Sequence, residues 1–206
     1  MSTVSAKICG LTRPEDVAAA AGAGADALGF VFAQSPRRLT VEQAKTLIAQ
    51  VPPGVMRVGL FLDPSPGEVW RVLESLTLDL LQFHGEPEND FCRQFELPFL
   101  PAVRPESARA VDPATRYPDA AGILYDSHDP AGAGGTGKTF DWSLVRASRL
   151  PIWLAGGLNP ENVSAAVAAV QPSWVDVSSG IESAPGIKDP AKIKSFVSAA
   201  KAFPKP

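Results

Sequence analysis

The feature that most constrains the fold is a repeat of eight short apolar runs, whose starts are separated by roughly 19 to 30 residues. Most of the runs are continuous and do not alternate apolar with polar residues. This pattern is typical of strands that are covered on both faces, as in a parallel sheet. The runs occupy residues 4–9, 27–32, 57–62, 80–84, 99–103, 122–126, 151–155 and 174–178.

Helix-like segments separate most of these runs. Pro14 lies near the first turn of one segment, and Thr40 is a suitable N-cap for the next. At Asn159 a capping residue is followed by Pro160, which predicts a helix that starts there. The stretch 105–118 contains three prolines and predicts a short or irregular helix. Similar helix openings occur at Pro66, Glu86, Asp141 and Asp189.

Strand followed by helix, repeated eight times, predicts an α/β fold, a single (β/α)8 TIM barrel with eight parallel strands and outer helices. The main alternative is an open, doubly wound sheet, which often has a Gly-rich dinucleotide turn after its first strand. The first run here ends in Cys9-Gly10-Leu11-Thr12 and lacks that pattern. Because no linker or composition break interrupts the chain, residues 1–206 are predicted to form one domain.

Composition narrows the class of protein. Hydrophobic residues make up 45% and charged residues 20%, an ordinary globular mixture. The net charge is -3 and no Lys/Arg run occurs, so we expect no nucleic-acid partner. No apolar run approaches the ~20 residues that span a bilayer, and the first residues do not resemble a signal peptide. Cys9 and Cys92 lie too far apart for a metal-ligand spacing, which favours reduced thiols and a cytoplasmic protein.

Polar side chains at the ends of the predicted strands are the candidate chemical groups, because barrel active sites form there. A thiol such as Cys9 acts as a base if a nearby cation or helix dipole lowers its pKa. A carboxylate such as Asp126 acts as an acid if burial keeps it protonated. The simpler alternatives are a small buried thiol and a capping carboxylate. His84 ends the fourth run, Asp176 lies within the last run on a side predicted to face the mouth of the barrel, and Arg37 follows the second run.

Glycine-rich loops follow the last three predicted strands. Glycine lets backbone N–H groups approach an anion closely, and barrels often bind phosphate after strands seven and eight. The spacing does not match a nucleoside-triphosphate loop, so we expect a phosphorylated substrate with a loop that closes over it. Each glycine could instead serve only a tight turn. The candidate phosphate-binding residues are Gly134, Gly135, Thr136, Gly137, Gly156, Gly157, Ser179 and Gly180.

Seven short motifs occur in order along the chain. They are KICGLT at 7–12, GFVF at 29–32, SPR at 35–37, QFHG at 82–85, GGTGK at 134–138, LAGGL at 154–158 and DVSSGIE at 176–182. In combination they resemble the phosphoribosylanthranilate isomerase family of tryptophan biosynthesis. The resemblance runs from about residue 6 to residue 200, without large gaps.

The resemblance implies an Amadori rearrangement of N-(5-phosphoribosyl)anthranilate to 1-(2-carboxyphenylamino)-1-deoxyribulose 5-phosphate, without a metal or an organic cofactor. It implies that Asp126 is the general acid, with a raised pKa, and that Cys9 is the general base, with a lowered pKa. Arg37 would hold the anthranilate carboxylate, with Arg38 as the alternative, and His84 and Asp176 would contact the substrate or support the site. The family includes monomers and homodimers, and its only implied partner is the small-molecule substrate.

Three other functions fit parts of the pattern. A ribulose-phosphate epimerase would need metal-binding histidines at the strand ends, and the chain has only two histidines. A histidine-pathway isomerase would be expected to carry an aspartate where this chain has Cys9. A non-catalytic barrel that binds a sugar phosphate would keep the phosphate loops without requiring Cys9 and Asp126 together.

Overall fold

Eight parallel strands form a closed barrel in the computed structural model, which describes residues 3–106, 112–127 and 139–204. Each strand pairs with the next one in the chain, and β8 pairs with β1 to close the barrel. The predicted TIM-barrel fold is therefore confirmed. The strands are β1 (Ser5–Cys9), β2 (Ala27–Val31), β3 (Met56–Leu62), β4 (Leu80–His84), β5 (Phe99–Val103), β6 (Ile123–Tyr125), β7 (Ile152–Leu154) and β8 (Trp174–Val177).

The helices are α1 (Pro14–Gly22), α2 (Val41–Ile48), α3 (Pro66–Leu73), α4 (Asn89–Arg93), α5 (Pro113–Arg116), α6 (Val163–Val170) and α7 (Pro190–Lys201). Thr40 caps α2 as predicted: its hydroxyl accepts a hydrogen bond from the Gln43 N–H at 3.2 Å. The Gln43 side chain accepts one from the Thr40 N–H at 2.9 Å, which completes a capping box. Asp189 likewise caps α7, at 2.8 Å from the Ala191 N–H.

Two predicted helix starts are wrong. The Asn159 side chain accepts hydrogen bonds at 3.0 Å from the N–H groups of Glu161 and Asn162, and these close a turn ahead of α6. The helix therefore begins at Val163, not at Pro160. The segment from Glu86 becomes helical only at Asn89. Asp141 does open a helical segment, since its side chain accepts a hydrogen bond from the Ser143 N–H at 3.0 Å, but that segment is a 3-10 helix, Trp142–Leu144.

The barrel interior is apolar at the amino ends of the strands and polar at the carboxyl ends. The side chains of Trp153 and Trp174 stack in the apolar part, with ring centroids 4.0 Å apart. Side chains alternate along a strand, so the inward position of Leu124 places Asp126 on the same face. The inward-facing apolar cluster contains Ala27, Val58, Leu80, Leu100, Ala102, Leu124, Trp153 and Ala155.

A small antiparallel hairpin follows β8 and was not predicted from the sequence. It consists of β9 (Glu182–Ala184) and β10 (Ile187–Lys188), after a 3-10 helix, Ser179–Ile181. The Thr12 hydroxyl donates a hydrogen bond of 2.5 Å to the Gly186 carbonyl, which fastens the hairpin to the loop after β1. The hairpin thus lies at the carboxyl end of the barrel. No helix in the described ranges is long and apolar enough to cross a membrane.

Candidate active site

Cys9 ends β1 next to a buried ion pair. Lys7, two residues earlier on the same face of the strand, is fully buried, and its Nζ lies 2.8 Å from Oδ2 of Asp176. The pairing of β1 with β8 places Lys7 directly opposite Asp176. The Lys7 ammonium also acts on the Cys9 thiol, where its charge lowers the pKa against the effect of burial. One cation therefore serves both a carboxylate and the candidate base.

Gly29 provides the space that the Cys9 thiol occupies. The two residues are partners in the register of β1 and β2. A Cβ atom at Gly29 would lie 2.7 Å from the Cys9 sulfur and 3.1 Å from the Cys9 Cα. Any larger residue at this position would displace the thiol, so Gly29 fixes where the sulfur sits.

Burial raises the pKa of the Cys9 thiol, and the nearby Lys7 charge only partly offsets it. The expected lowered pKa is therefore not found. For Lys7 the net shift in pKa has the opposite cause. Burial alone would lower the pKa of Lys7, but Asp176 and Cys9 outweigh burial and raise it. Lys7 thus stays cationic, whereas Cys9 is a thiol at neutral pH until something further stabilises the thiolate.

The predicted site residues Asp126, His84 and Asp176 come together at the same end of the barrel. Asp126 and His84 both act electrostatically on Asp176, which in turn acts on Cys9. Nε2 of His84 lies 2.8 Å from Nε2 of Gln82, which precedes it on the inner face of β4. The structure thus brings two carboxyl groups, a thiol and an imidazole together at the carboxyl end of the barrel.

Two buried oxygens at this end of the barrel have no hydrogen-bond partner among the described residues. They are Oε1 of Gln82 and Oδ1 of Asp176. Buried polar atoms are nearly always paired in folded proteins, because an unpaired one costs about 1–3 kcal/mol. Their position next to the candidate acid and base is consistent with donors supplied by a bound ligand.

Arg37 lies over the end of β1 and is held by a carboxylate of the hairpin. Its Nε and Nη2 each donate a hydrogen bond of 2.7 Å to Glu182. A Cβ at Gly10 would collide with Cδ of Arg37, so the glycine lets this side chain cross the strand end. Arg38 points elsewhere: its Nη1 bonds the Gln34 side chain at the surface, 3.0 Å away. The geometry therefore favours Arg37 over Arg38 as the arginine that faces the site.

The loops after β6, β7 and β8 contact one another. A Cβ at Gly156, where φ is +82°, would strike the Ser127 hydroxyl, and one at Gly180 would strike the Leu158 carbonyl. The backbone at Gly156, Gly157 and Gly180 is thus brought together, with Ser179 beside Gly180 in the 3-10 helix. The remaining predicted phosphate-binding residues, Gly134, Gly135, Thr136 and Gly137, lie outside the described residues.

Sequence reasoning did not assign roles to four residues that the structure places at the site. These are Lys7, Gln82, Glu182 and Lys188. A charged residue inside the otherwise apolar run 4–9 was a usable signal for Lys7, because a buried lysine needs a partner. Glu182 ends the quoted motif at 176–182 but received no role, and Lys188 lies in no quoted motif, since the hairpin that carries both was not predicted. Within the described ranges, no group of three or more His, Cys, Asp or Glu side chains is placed to hold a metal ion.

A closed parallel barrel with a thiol, carboxylates and cations at the carboxyl ends of its strands defines a (β/α)8 barrel equipped for acid–base chemistry. Residues 6–199 match the family model described as N-(5'phosphoribosyl)anthranilate (PRA) isomerase. The chain belongs to the phosphoribosylanthranilate isomerase family, and the predicted resemblance is confirmed.

Individual relatives agree with this assignment. An N-(5'-phosphoribosyl)anthranilate isomerase of Pseudomonas putida is 52% identical over 98% of this chain and 99% of its own. The crystal structure of phosphoribosyl anthranilate isomerase from Thermotoga maritima superposes with a TM-score of 0.86 at 40% identity, covering 97% of this chain and all of that one. Another isomerase structure, solved with reduced 1-(o-carboxyphenylamino)-1-deoxyribulose 5-phosphate, has a TM-score of 0.80 at 36% identity and covers 97% and 100%.

Proposed function

We propose that this protein converts N-(5'-phosphoribosyl)anthranilate to 1-(2-carboxyphenylamino)-1-deoxyribulose 5-phosphate, as an aldose–ketose isomerase of tryptophan biosynthesis. The observation that carries the proposal is the position of the Cys9 thiol and the Asp126 carboxyl group at one end of the barrel, in a chain of this family. The reaction moves protons within one substrate, and it needs one acid and one base.

The first step opens the ribose ring. Asp126 donates its proton to the ring oxygen, the bond between that oxygen and C1 breaks, and its electron pair stays on the oxygen. The nitrogen lone pair forms the C1=N bond of a Schiff-base cation. Asp126 is then a carboxylate and, through Asp176, belongs to the same electrostatic network as Cys9.

The second step removes the proton from C2. The Cys9 thiolate takes it, and the C–H electron pair forms the C1=C2 bond while the C1=N pair returns to nitrogen. The enolamine becomes the ketose when C1 gains a proton and the C2 hydroxyl loses one. The Cys9 thiol releases its proton to solvent before this step and regains one from C2, and Asp126 regains its proton from solvent. The proton that C1 gains and the one that the C2 hydroxyl loses are also exchanged with solvent, so protons balance over the cycle.

Because the pKa of the Cys9 thiol is raised, the stage of the reaction at which its thiolate forms depends on further positive charge near the sulfur. Burial outweighs the charge of Lys7, so the protein's own groups disfavour the thiolate. The Schiff-base cation adds a second positive charge near the sulfur and lowers its pKa. The same cation acidifies the C2 proton. We therefore assign thiolate formation to the substrate-bound state, which limits side reactions of the free thiol.

Binding groups surround this centre. We propose that Arg37 holds the anthranilate carboxylate and that the loops with Gly156, Gly157, Ser179 and Gly180, together with residues 134–137, hold the phosphate. His84 and Asp176 contact the opened ribose or support the residues that do. The contact between the loops after β7 and β8 supports a shared phosphate site.

The location, oligomeric state and partners of the protein follow from the same proposal. We propose a cytoplasmic protein that acts as a monomer or a homodimer on a small-molecule substrate, without nucleic acid, membrane, metal or organic cofactor. We further propose that residues 1–206 form one domain, which is consistent with a barrel whose strands run from β1 to β8.

The test is an assay of the purified protein with three substrates. We expect turnover of phosphoribosylanthranilate and at least about 100-fold lower kcat/KM with the aminoaldose of the histidine pathway. Ribulose 5-phosphate, which lacks the amine needed for a Schiff base, should not react. Absence of turnover with phosphoribosylanthranilate would overturn the proposal, and turnover of ribulose 5-phosphate would favour an epimerase.

A further inference from the structure

Glu182 forms a bidentate contact with the guanidinium of Arg37. A guanidinium carries five N–H donors in a planar fork. Glu182 occupies one edge of that fork, accepting from Nε and Nη2 at 2.7 Å each. Within the described part of the chain, the side-chain hydrogen bonds of Arg37 all start from these two nitrogens. The other edge, formed by Nη1 and the second Nη2 proton, has the geometry to bind another carboxylate side by side.

The Glu182 carboxylate is itself held in place. Lys188 Nζ donates to its Oε1 at 2.9 Å and to the Ser178 carbonyl at 3.1 Å. The Gly186 N–H also reaches Oε1, at 3.3 Å. Burial alone would raise the pKa of Glu182, but Arg37 and Lys188 outweigh burial and lower it. Glu182 is therefore an ionised, buried anchor whose position is fixed by the hairpin of β9 and β10.

The charges at this anchor do not cancel. Burial lowers the pKa of Lys188, and Glu182 only partly offsets this. While Lys188 is protonated, Arg37, Lys188 and the ionised Glu182 carry a net charge of +1. The Arg37 guanidinium lies within electrostatic range of the Cys9 sulfur, and its side chain crosses Gly10. An excess positive charge next to the base is complementary to an anionic group carried on the substrate close to C1 and C2.

We infer that Glu182 is a positioning residue: by holding the Nε–Nη2 edge of Arg37, it directs the Nη1–Nη2 edge at the substrate's aryl carboxylate and so sets the preference for carboxylate-bearing substrates. This inference rests on the proposed function. It assigns the hairpin of β9 and β10 a role in specificity, because the hairpin carries both Glu182 and the Lys188 that fixes it.

Two non-reacting probes test this inference. One is reduced 1-(2-carboxyphenylamino)-1-deoxyribulose 5-phosphate, and the other is the same compound made with aniline, which lacks the carboxylate. Their dissociation constants are measured by titration calorimetry for the wild type, Glu182→Gln, and Glu182→Asp, which keeps the charge but shortens the reach. We expect the wild type to prefer the carboxylated probe by about tenfold or more. Both variants should lose most of that preference and bind the aniline probe within about twofold of the wild type.

Three controls separate positioning from general damage. Asp79→Asn breaks a pair of the same bidentate geometry, Arg57 with Asp79 at 2.7 Å, at the start of β3, away from the site. It should keep the preference, as should Arg38→Ala, whereas Arg37→Ala should lose it. Circular dichroism checks that each variant is folded, and Glu182→Asp remains informative if Glu182→Gln does not fold.

The binding and activity measurements distinguish a failure of the positioning role from a failure of the proposed function. Equal weakening of both probes in the Glu182 variants would show a merely structural role and overturn the inference, as would an unchanged preference or a wild type without one. If the wild type does not isomerise phosphoribosylanthranilate, the proposed function fails by itself. If it does so and the Glu182 variants keep the preference, only the positioning role fails.

Discussion

Lys7 and Asp176 form a buried ion pair, 2.8 Å between Nζ and Oδ2, directly alongside the strand position of Cys9. The pair exists because barrel closure brings β1 against β8, 169 residues apart in the chain. The positive charge of Lys7 also acts on the Cys9 thiol and opposes the effect of burial on its pKa. The same contact therefore contributes to closing the barrel and to the electrostatics of the candidate base.

Lys7→Met should destabilise the protein and slow the reaction. It leaves the Asp176 carboxylate buried without its partner, which costs about 3–5 kcal/mol. It also removes the charge that favours the Cys9 thiolate. Urea denaturation measures the first effect and kcat the second.

The control for Lys7→Met is Lys201→Met, which breaks the more exposed pair of Lys201 with Asp26 at 2.9 Å. That change should cost no more than about 1 kcal/mol and leave kcat unchanged. In the double variant Lys7→Met/Asp176→Leu, stability should largely return while activity does not. A Lys7→Met variant with wild-type stability and rate would contradict the role assigned to the pair.

Alkylation of Cys9 should report its raised pKa. Because burial raises the pKa of this thiol above that of a free cysteine, its thiolate fraction is small at pH 7 and grows only in the alkaline range. We expect the pH midpoint of iodoacetamide labelling in folded Cys92→Ser protein to lie above that of the same protein in urea.

The Cys92→Ser background removes the second buried thiol, whose pKa burial raises to about 12. A labelling midpoint for folded Cys9 below the value of about 8.5 for a free cysteine would contradict this account. It would mean that the thiol is already activated before substrate binds.

Gly29→Ala should impair catalysis through Cys9. The added Cβ would lie 2.7 Å from the sulfur, so the thiol must move. A displacement of this kind costs up to about 100-fold in kcat. Gly22→Ala, at the end of α1, meets no atom within 4 Å and is the matched control. Steady-state kinetics compare the two, and a Gly29→Ala rate within about twofold of the wild type would contradict the spatial argument.

Much of the barrel could be predicted because its signal is local. A strand covered on both faces is a continuous apolar run, and each of the eight runs matches its strand to within one residue at either end. The start of α6 could not be predicted, since Asn159 and Asn162 are both good caps. The loop at Asn159 also packs against Gly180, and such a distant contact leaves no local pattern.

In the candidate site, too, some residues could be predicted from local sequence signals and others depend on contacts between distant parts of the chain. Strand positions made Cys9, Asp126, His84 and Asp176 candidates, and the family resemblance gave them their expected roles. The structure places all four at the carboxyl end of the barrel. The choice between Arg37 and Arg38 depends on Glu182, which lies 145 residues later on the unpredicted hairpin. The choice between the two arginines therefore depends on a contact between distant loops, which the periodicity of the sequence does not reveal.

The most direct test of the acid–base assignment compares kcat of Cys9→Ser and Asp126→Asn with that of Cys92→Ser. A serine hydroxyl cannot form an anion at neutral pH, and an amide cannot donate the ring-opening proton. We therefore expect each site variant to lose at least about 100-fold in kcat. Both should still bind the reduced product analogue within about threefold of the wild type, and Cys92→Ser should be fully active. Retention of kcat within about tenfold by either Cys9→Ser or Asp126→Asn would contradict the account.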